Sequence, residues 1–436
     1  MRLFLIIACT AFAYADFDTL SDNGIMQVPT SHQAPGYGVD IRMAVDTAGY
    51  AYMFGGCTYL NGAGGTHNND VYRFNFFTGY CDRLYGCPSQ TLVPANPWIG
   101  GCHAATVYDP SRNCVWFANG SQLGYDCGYG IVPAPVFNAT GIWRFDCPNG
   151  PVTQYCDTLL GDGAWFDAEA HYFYYDSLRD NIMAPGTRTL CVFHIGSKRN
   201  FRSTYPFNMV GTTTLAGCFD TKRGLLALAF AASGSNAVWF FNPADTTWFS
   251  RAPAAVPGFT TGEMTYDSKN DKFLYFGSGY SAHTVIWAYD YGSNTWTRMP
   301  ENNRQYNDSM PETSTWPAQR WKGAWTYSAK YNVSINWGGL CYSPDFCDTT
   351  DAFRDEDHVQ PLWIYRYAKG PAAVENSSGR AGADFSSASV VYDIRGRVKA
   401  RLAAGMAWNR AGVPAGIYFI RMPEGNRIVS RRVVVY

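Results

Sequence analysis

The sequence predicts an all-β protein. Short runs of β-branched and aromatic residues alternate with Gly, Pro, Asn and Asp, and long runs with the 3.6-residue periodicity of a helix are missing. Aromatic residues make up 16% of the 436 residues, and there are 43 glycines. This composition is typical of a chain in which many short strands are joined by tight turns.

The first 15 residues have the pattern of a secretory signal peptide. Arg2 precedes an apolar run from Leu3 to Phe12, and the small-residue pattern Ala13-Tyr14-Ala15 follows before Asp16. The alternative is a buried strand. No later stretch reaches the roughly 20 apolar residues of a membrane-spanning helix. We therefore expect residues 1–15 to be a signal peptide and the protein to be exported.

The charge of the chain argues against nucleic acid as a partner. The formal net charge is −1, and only 16% of the residues are charged. A nucleic-acid binder needs a concentrated basic surface, which this composition does not provide.

The cysteines suggest disulfide bonds. Of 13 cysteines, Cys9 lies in the signal peptide, which leaves an even number for an oxidising compartment. A zinc site would require paired C-x-x-C spacings, which do not occur. The sequence does not fix the connectivity, but three close spacings suggest local loops: Cys81 with Cys87, Cys147 with Cys156, and Cys341 with Cys347.

A unit of about four strands repeats along the chain. In its clearest copy the first strand ends at Tyr266-Asp267, the second runs from Lys272 to Gly277, the third from Val285 to Asp290, and the fourth contains Trp296. Six copies occur, which predicts a six-bladed β-propeller over residues 16–367. The six first strands end at Asp46, Asp109, Asp176, Asp220, Asp267 and Ser328.

The last copy lacks a fourth strand of its own. In the other five copies an apolar residue of the fourth strand follows nine residues after a landmark of the third, but the sixth has only Ala372 there, in a Pro/Ala/Ser-rich stretch. Ile25–Pro29 has the same pattern as Trp296–Pro300. We expect this N-terminal segment, residues 25–29, to complete the last blade and remove the open sheet edges.

Three short motifs resemble the kelch repeat family. They are Phe54-Gly55-Gly56 after a second strand, Asn69-Asp70-Val71-Tyr72 at a third, and Asn294-Thr295-Trp296 at a fourth. The resemblance covers residues 25–367 and is degenerate. The resemblance implies a kelch-like propeller, but it implies no particular enzymatic reaction.

The C-terminal part has a different composition. Residues 368–389 are rich in Gly, Ala and Ser, as in a linker, and strands follow at Val390–Val398, Val413–Met422 and Arg431–Tyr436. Residues 390–436 resemble the sorting domain of the type IX secretion system, which implies a small β-sandwich-like segment. The domain is short in this chain, because the Gly/Ala/Ser-rich stretch Gly379–Ser389 stands where the family has further strands. The resemblance implies release or attachment at the outer cell surface through the type IX machinery. The alternative is a small immunoglobulin-like module without a role in transport.

Ionisable residues cluster where the innermost strands begin. In a propeller these positions surround the mouth of the central channel, where they would form a binding site. His with Glu also suits acid–base catalysis or a metal, and the alternative is a set of solvated strand starts. The residues are Asp40, Arg42, His103, Glu169, His171, Glu263 and Lys322.

A second polar cluster lies in the long loop of the sixth unit. Closely spaced carboxylates there would suit Ca²⁺, the one cofactor we consider, although the spacing is not that of an EF-hand loop. The alternative is a solvated acidic loop. The carboxylates are Asp348, Asp351, Asp355 and Asp357.

No catalytic constellation is evident in the sequence. We therefore expect a secreted or surface-attached, non-catalytic module for binding or adhesion, with a glycan or a surface protein as partner; rim aromatics such as Tyr80 would stack on sugar rings. One alternative is an extracellular enzyme that acts on polysaccharide at the channel mouth. The other is a structural subunit that self-associates into a surface layer or filament.

Overall fold

The structure of the protein is a computed structural model. The chain divides into two units, Met1–Gly370 and Pro371–Tyr436. The structure describes Phe17 and residues 20–32, 42–55, 57–58, 66–67, 70–86, 105–118, 125–126, 131–132, 141–156, 172–186, 188–209, 215–231, 235–257, 261–278, 284–300, 320–321, 323–338, 340–341, 362–369, 389–393, 398–402, 416–424 and 427–435.

The first unit is a six-bladed β-propeller, which confirms the predicted fold class. Each blade is an antiparallel sheet of four strands, and each first strand contacts the first strands of both neighbouring blades, so that the ring closes between blade 6 and blade 1. The strands, from the innermost outward, are Arg42–Val45, Tyr50–Phe54, Val71–Asn75 and Tyr80–Tyr85 in blade 1; Ala105–Asp109, Cys114–Ala118, Ile142–Asp146 and Val152–Cys156 in blade 2; Tyr174–Asp176, Asn181–Pro185, Thr189–His194 and Arg199–Thr204 in blade 3; Ala216–Asp220, Leu225–Ala229, Val238–Asn242 and Thr247–Arg251 in blade 4; Thr261–Asp267, Lys272–Ser278, Val285–Asp290 and Thr295–Arg298 in blade 5; and Ala324–Ser328, Val333–Trp337, Leu362–Arg366 and Gly24–Val28 in blade 6.

The outermost strand of blade 6 comes from the N-terminal part of the chain. Gly24–Val28 pairs antiparallel with Leu362–Arg366, with Ile25 opposite Tyr365. The Tyr365 hydroxyl donates to Asn23 Oδ1 at 2.7 Å, and Arg366 donates to the Leu20 carbonyl at 3.3 Å. Strands from both parts of the chain therefore form one sheet, and the ring is closed by hydrogen bonds.

Short strands lie outside the six sheets of four. Ser31–His32 adds a parallel fifth strand to blade 1, next to Tyr80–Tyr85. The other short strands of the described residues form three two-stranded antiparallel sheets: Cys57–Thr58 with Thr66–His67, Tyr125–Asp126 with Ile131–Val132, and Arg320–Trp321 with Leu340–Cys341.

Apolar side chains fill the spaces between the blades. In the described part of the chain, one buried cluster lies at each of the six blade interfaces. The Phe276 and Trp325 rings, for example, stack at 3.7 Å between blades 5 and 6. Because each interface buries aromatic surface from two sheets, the hydrophobic effect holds neighbouring blades together.

The Asp that ends each inner strand orders the turn that follows. In blades 1 to 5 its carboxylate accepts hydrogen bonds from the backbone N–H groups two and three residues later, at 2.8–3.2 Å. The fourth residue after this Asp in blades 2 to 5, and after Ser328 in blade 6, has positive φ, where Asn, Asp or Gly is favoured. These residues are Asn113, Asp180, Gly224, Asp271 and Asn332.

These turns also connect neighbouring blades. Arg112 of blade 2 binds both carboxylate oxygens of Asp180 in blade 3 at 2.6 Å, and Arg223 of blade 4 binds Asp271 of blade 5 at 2.6 and 2.7 Å. Lys330 of blade 6 donates to the Thr47 carbonyl of blade 1 at 2.7 Å. The two bidentate Arg–Asp pairs fix the orientation of neighbouring blades as well as the distance between them.

Asp271 is expected to make stability sensitive to acid. Hydrogen bonds from Arg223, then from Lys222 and Tyr266, hold the pKa of Asp271 well below its usual value, although burial opposes them. Its contribution to stability is thus present above the unfolded pKa of about 4 and is lost as pH falls through the lower folded value. Thermal unfolding at pH 7, 4 and 2.5 should show a smaller acid-induced fall in Tm for Asp271→Asn than for the wild type. Equal falls would contradict this role.

The predicted disulfide between Cys147 and Cys156 is wrong, because Cys147 is a free thiol. Cys147 directly follows the third strand of blade 2, whereas Cys156 lies opposite Ile142 at the other end of the same hairpin. A five-residue strand separates such positions by about 13 Å, too far for a disulfide.

The prediction for Cys81 and Cys87 also fails, because Cys81 is a free thiol buried between blades 1 and 6. Cys87 and Cys347 lie outside the described residues. Cys114 and Cys191 are free and buried as well, and burial raises the pKa of each thiol to about 12.

The second unit contains an antiparallel sheet of four strands. Gly416–Glu424 pairs with Arg427–Val435 on one side and with Ser389–Asp393 on the other, and Val398–Leu402 pairs with Ser389–Asp393. Nothing in the described residues forms a helix with the length and hydrophobicity needed to cross a membrane.

Candidate functional site

Three side chains meet across the propeller axis, one from each alternate blade. We name Arg42 of blade 1, Tyr172 of blade 3 and Glu263 of blade 5 the axial cluster. Arg42 Nη1 lies 3.4 Å from Glu263 Oε1, and the Tyr172 hydroxyl donates to the same oxygen at 3.3 Å. The Arg42 guanidinium lies over the Tyr172 ring, 4.3 Å from its centre. Each member thus contacts both of the others.

The spacing of the repeat explains why these three residues meet. Each stands four residues before the Asp that ends its inner strand, so the three occupy equivalent positions in blades 1, 3 and 5. The three blades between them carry alanine at the same position, and these short side chains leave room at the axis. The alanines are Ala105, Ala216 and Ala324, all buried.

The ion pair of the axial cluster is largely removed from water. The Arg42 side chain is 7% exposed and that of Glu263 is 12% exposed. Desolvating two opposite charges costs about as much as their attraction returns, so a buried ion pair adds little to stability.

A cavity of about 350 Å³ adjoins the axial cluster and is lined by the inner strands of all six blades. Its lining extends from the axial cluster to the turn residues Thr47, Ser177 and Lys330 at the other ends of the strands. The volume is within the range of small-molecule sites.

Two hydroxyl groups in the wall of the cavity have no hydrogen-bond partner within the described part of the chain. They belong to Thr106 and Tyr174, whose side chains are both 7% exposed. Burial, with contributions from Tyr172 and Glu263, raises the pKa of Tyr174 well above its usual value, so its hydroxyl remains a donor. Buried hydroxyls normally have a partner, and water or polar groups of a ligand would supply one here.

The structure places two of the seven predicted channel-mouth residues, Arg42 and Glu263, and brings them together. The other five, Asp40, His103, Glu169, His171 and Lys322, lie outside the described residues. So do the four carboxylates of the predicted Ca²⁺ loop, Asp348, Asp351, Asp355 and Asp357.

Tyr172 is a site residue that the sequence analysis missed. The channel-mouth prediction considered only residues that are charged or titrate near neutral pH, and Tyr172 is neither. The alternation of long side chains with alanine, four residues before each terminal Asp or Ser, was the signal that could have found it.

The fold and this site define a six-bladed β-propeller with a polar cluster on its axis. No protein-family model matches the sequence, and no curated protein matches it. Among solved structures, the chain is similar to a chain of the crystal structure of the mitotic checkpoint complex, with 13% identity and a TM-score of 0.42 over 84% of this chain and 99% of that one. It is also similar to a structural genomics protein of unknown function from Bacteroides thetaiotaomicron VPI-5482, with 7% identity and a TM-score of 0.47 over 82% of this chain and 75% of that one.

Proposed function

We propose that the protein is an exported, non-catalytic propeller of the kelch type that binds a glycan or a surface protein at the axial cluster. The observation that carries the proposal is the contact of Arg42, Tyr172 and Glu263 across the axis. A guanidinium, a carboxylate and an aromatic ring are the groups with which proteins bind sugar hydroxyls and peptide polar groups.

The arrangement favours binding over catalysis. The two charged groups neutralise each other, and each is held by at least two contacts within the cluster. A site of this kind presents a fixed pattern of donors and acceptors to a ligand, and rigid preorganisation reduces the entropic cost of binding.

Export and surface location form part of the proposal. The signal peptide of residues 1–15 would direct the chain out of the cytoplasm, and the C-terminal unit would act as a type IX sorting domain. Its sheet of four strands, in which Gly416–Glu424 and Arg427–Val435 pair along their whole length, is consistent with a folded sorting module. The mature protein would be secreted or attached to the outer cell surface.

Binding can be tested on an array of immobilised glycans and purified surface proteins with the mature chain from Asp16. We expect saturable binding to at least one ligand, and a loss of affinity of about tenfold or more in Glu263→Gln, because one charged hydrogen-bond acceptor is removed. The matched control is Asp146→Asn, the same change in an exposed ion pair of blade 2.

Three outcomes would contradict the proposal. These are release of product from a polysaccharide, equal affinity of wild type and Glu263→Gln for every ligand, and a filament or ring in the mass profile without ligand binding. The third would favour a structural subunit.

A further inference from the structure

A second cavity lies on the outer part of blade 1, away from the axis. We name it the blade 1 groove. It has a volume of about 340 Å³ and opens on the side of the sheet that faces blade 2. Its lining side chains come from the second, third and fourth strands and the turn between the last two: Tyr50, Arg73, Asn75, Thr78, Tyr80 and Asp82.

Blade 2 differs from most other blades at the residue directly after its third strand, which lies at the interface with blade 1. In blades 1, 3, 5 and 6 a large residue directly after the third strand packs into the apolar cluster between two blades. Blade 2 instead has Cys147, a much smaller side chain, at the interface with blade 1. The large residues are Phe76, Ile195, Tyr291 and Tyr367.

The polar floor of the groove is fixed by contacts within the protein. Arg73 donates to Asp82 and to Asn149 Oδ1 of the blade 2 turn, and its guanidinium lies 4.8 Å from the centre of the Tyr50 ring. Asn75 Oδ1 accepts hydrogen bonds from the backbone of the next turn. The groove thus presents a carboxylate, an amide and a guanidinium in fixed positions, and the charges of Arg73 and Asp82 balance.

Tyr80 at the edge of the groove is held by a strained residue. The Tyr80 ring is stacked on one face by His32, with ring centres 4.7 Å apart and planes 10° apart, yet the residue is 38% exposed. His32 has a φ of 68°, which is uncommon and costly for a residue with a side chain. The chain therefore accepts backbone strain at the position that supports this exposed aromatic ring.

We propose that the blade 1 groove binds one ring of a neutral glycan. The open part of Tyr80 would stack on the apolar C–H face of the sugar, while Asp82, Asn75 and Arg73 hydrogen-bond its hydroxyls. An anionic ligand is disfavoured because Asp82 neutralises Arg73. This site is separate from the axial cluster and does not depend on the function proposed for it.

Titration of the full mature chain with methyl α-mannoside, methyl β-galactoside and methyl β-glucoside, followed by saturation-transfer NMR, tests this site. We expect at least one glycoside to bind, and Tyr80→Ala to weaken it about tenfold through loss of the aromatic contact. Asp82→Asn, which preserves shape, should also weaken it. The matched control is Phe201→Ala, which removes an equally accessible aromatic from an outer strand of blade 3, with 36% exposure.

The two proposals fail in distinguishable ways. If Glu263→Gln abolishes glycoside binding while Tyr80→Ala leaves it unchanged, the sugar lies at the axis and the groove proposal is wrong. The groove proposal is also wrong if none of the three glycosides binds, or if Phe201→Ala loses as much affinity as Tyr80→Ala. Circular dichroism of each variant establishes that it is folded.

Discussion

Replacing Ile25 with aspartate is expected to open the propeller ring. Ile25 lies in the strand that closes blade 6, is 5% exposed, and packs against Phe276, Trp325 and Tyr365. The change removes about 1.5–3 kcal/mol of apolar burial and places a carboxylate in an apolar cluster, which costs several kcal/mol more. The sum is comparable with the whole stability of a typical domain, about 5–15 kcal/mol.

Thermal unfolding and limited proteolysis should therefore show Ile25→Asp as largely unfolded or cleaved between blades 6 and 1. The control is Gln27→Asp, which places the same carboxylate at a half-buried position of the same strand and should cost far less. A wild-type Tm for Ile25→Asp would mean that the N-terminal strand does not hold the ring closed.

Removing the Asp109 carboxylate should produce the second large effect. This fully buried group accepts hydrogen bonds from Ser111 and Arg112, and from the Trp116 indole N–H at 3.1 Å. Burial alone would raise the pKa of Asp109, but these hydrogen bonds outweigh it and lower the pKa. Asp109→Ala leaves the indole N–H buried without this acceptor, so we expect a loss of about 3–5 kcal/mol.

Urea unfolding of Asp109→Ala and Asp146→Ala compares a buried with an exposed carboxylate in one blade. Asp146 pairs with Arg144 at the surface, with 41% and 31% of their side chains exposed, so its loss should cost about 1 kcal/mol or less. Similar losses for the two variants would show that the turn carboxylate is not what stabilises the inner strand.

The blade count could be predicted from the sequence because one local rule repeats. In blades 1 to 5 the inner strand is followed by a turn that an Asp carboxylate such as that of Asp109 orders through hydrogen bonds. In blades 2 to 6 the fourth residue after the end of the inner strand, such as Asn113 or Asp271, must tolerate positive φ. Both requirements involve neighbours in the chain, so they leave a pattern that can be read without knowing how the blades pack.

Contacts between blades were harder to predict from the sequence than the turns within each blade. Arg42 and Glu263 are 221 positions apart in the sequence and belong to blades that are not adjacent, so only the alternation with alanine relates them. The blade 1 groove depends on Arg73 reaching Asn149 across an interface. The predicted pairing of Cys147 with Cys156 failed for a related reason, because short spacing between cysteines ignores the separation that a hairpin strand imposes.

The axial cluster is proposed to bind a ligand without converting it. The most direct measurement is a binding isotherm for the strongest array ligand with the wild type and Glu263→Gln, with the ligand recovered afterwards and analysed by mass. We expect saturable binding by the wild type, binding at least about tenfold weaker for the variant, and ligand of unchanged mass. Ligand of altered mass, or equal isotherms for the two proteins, would contradict the proposal.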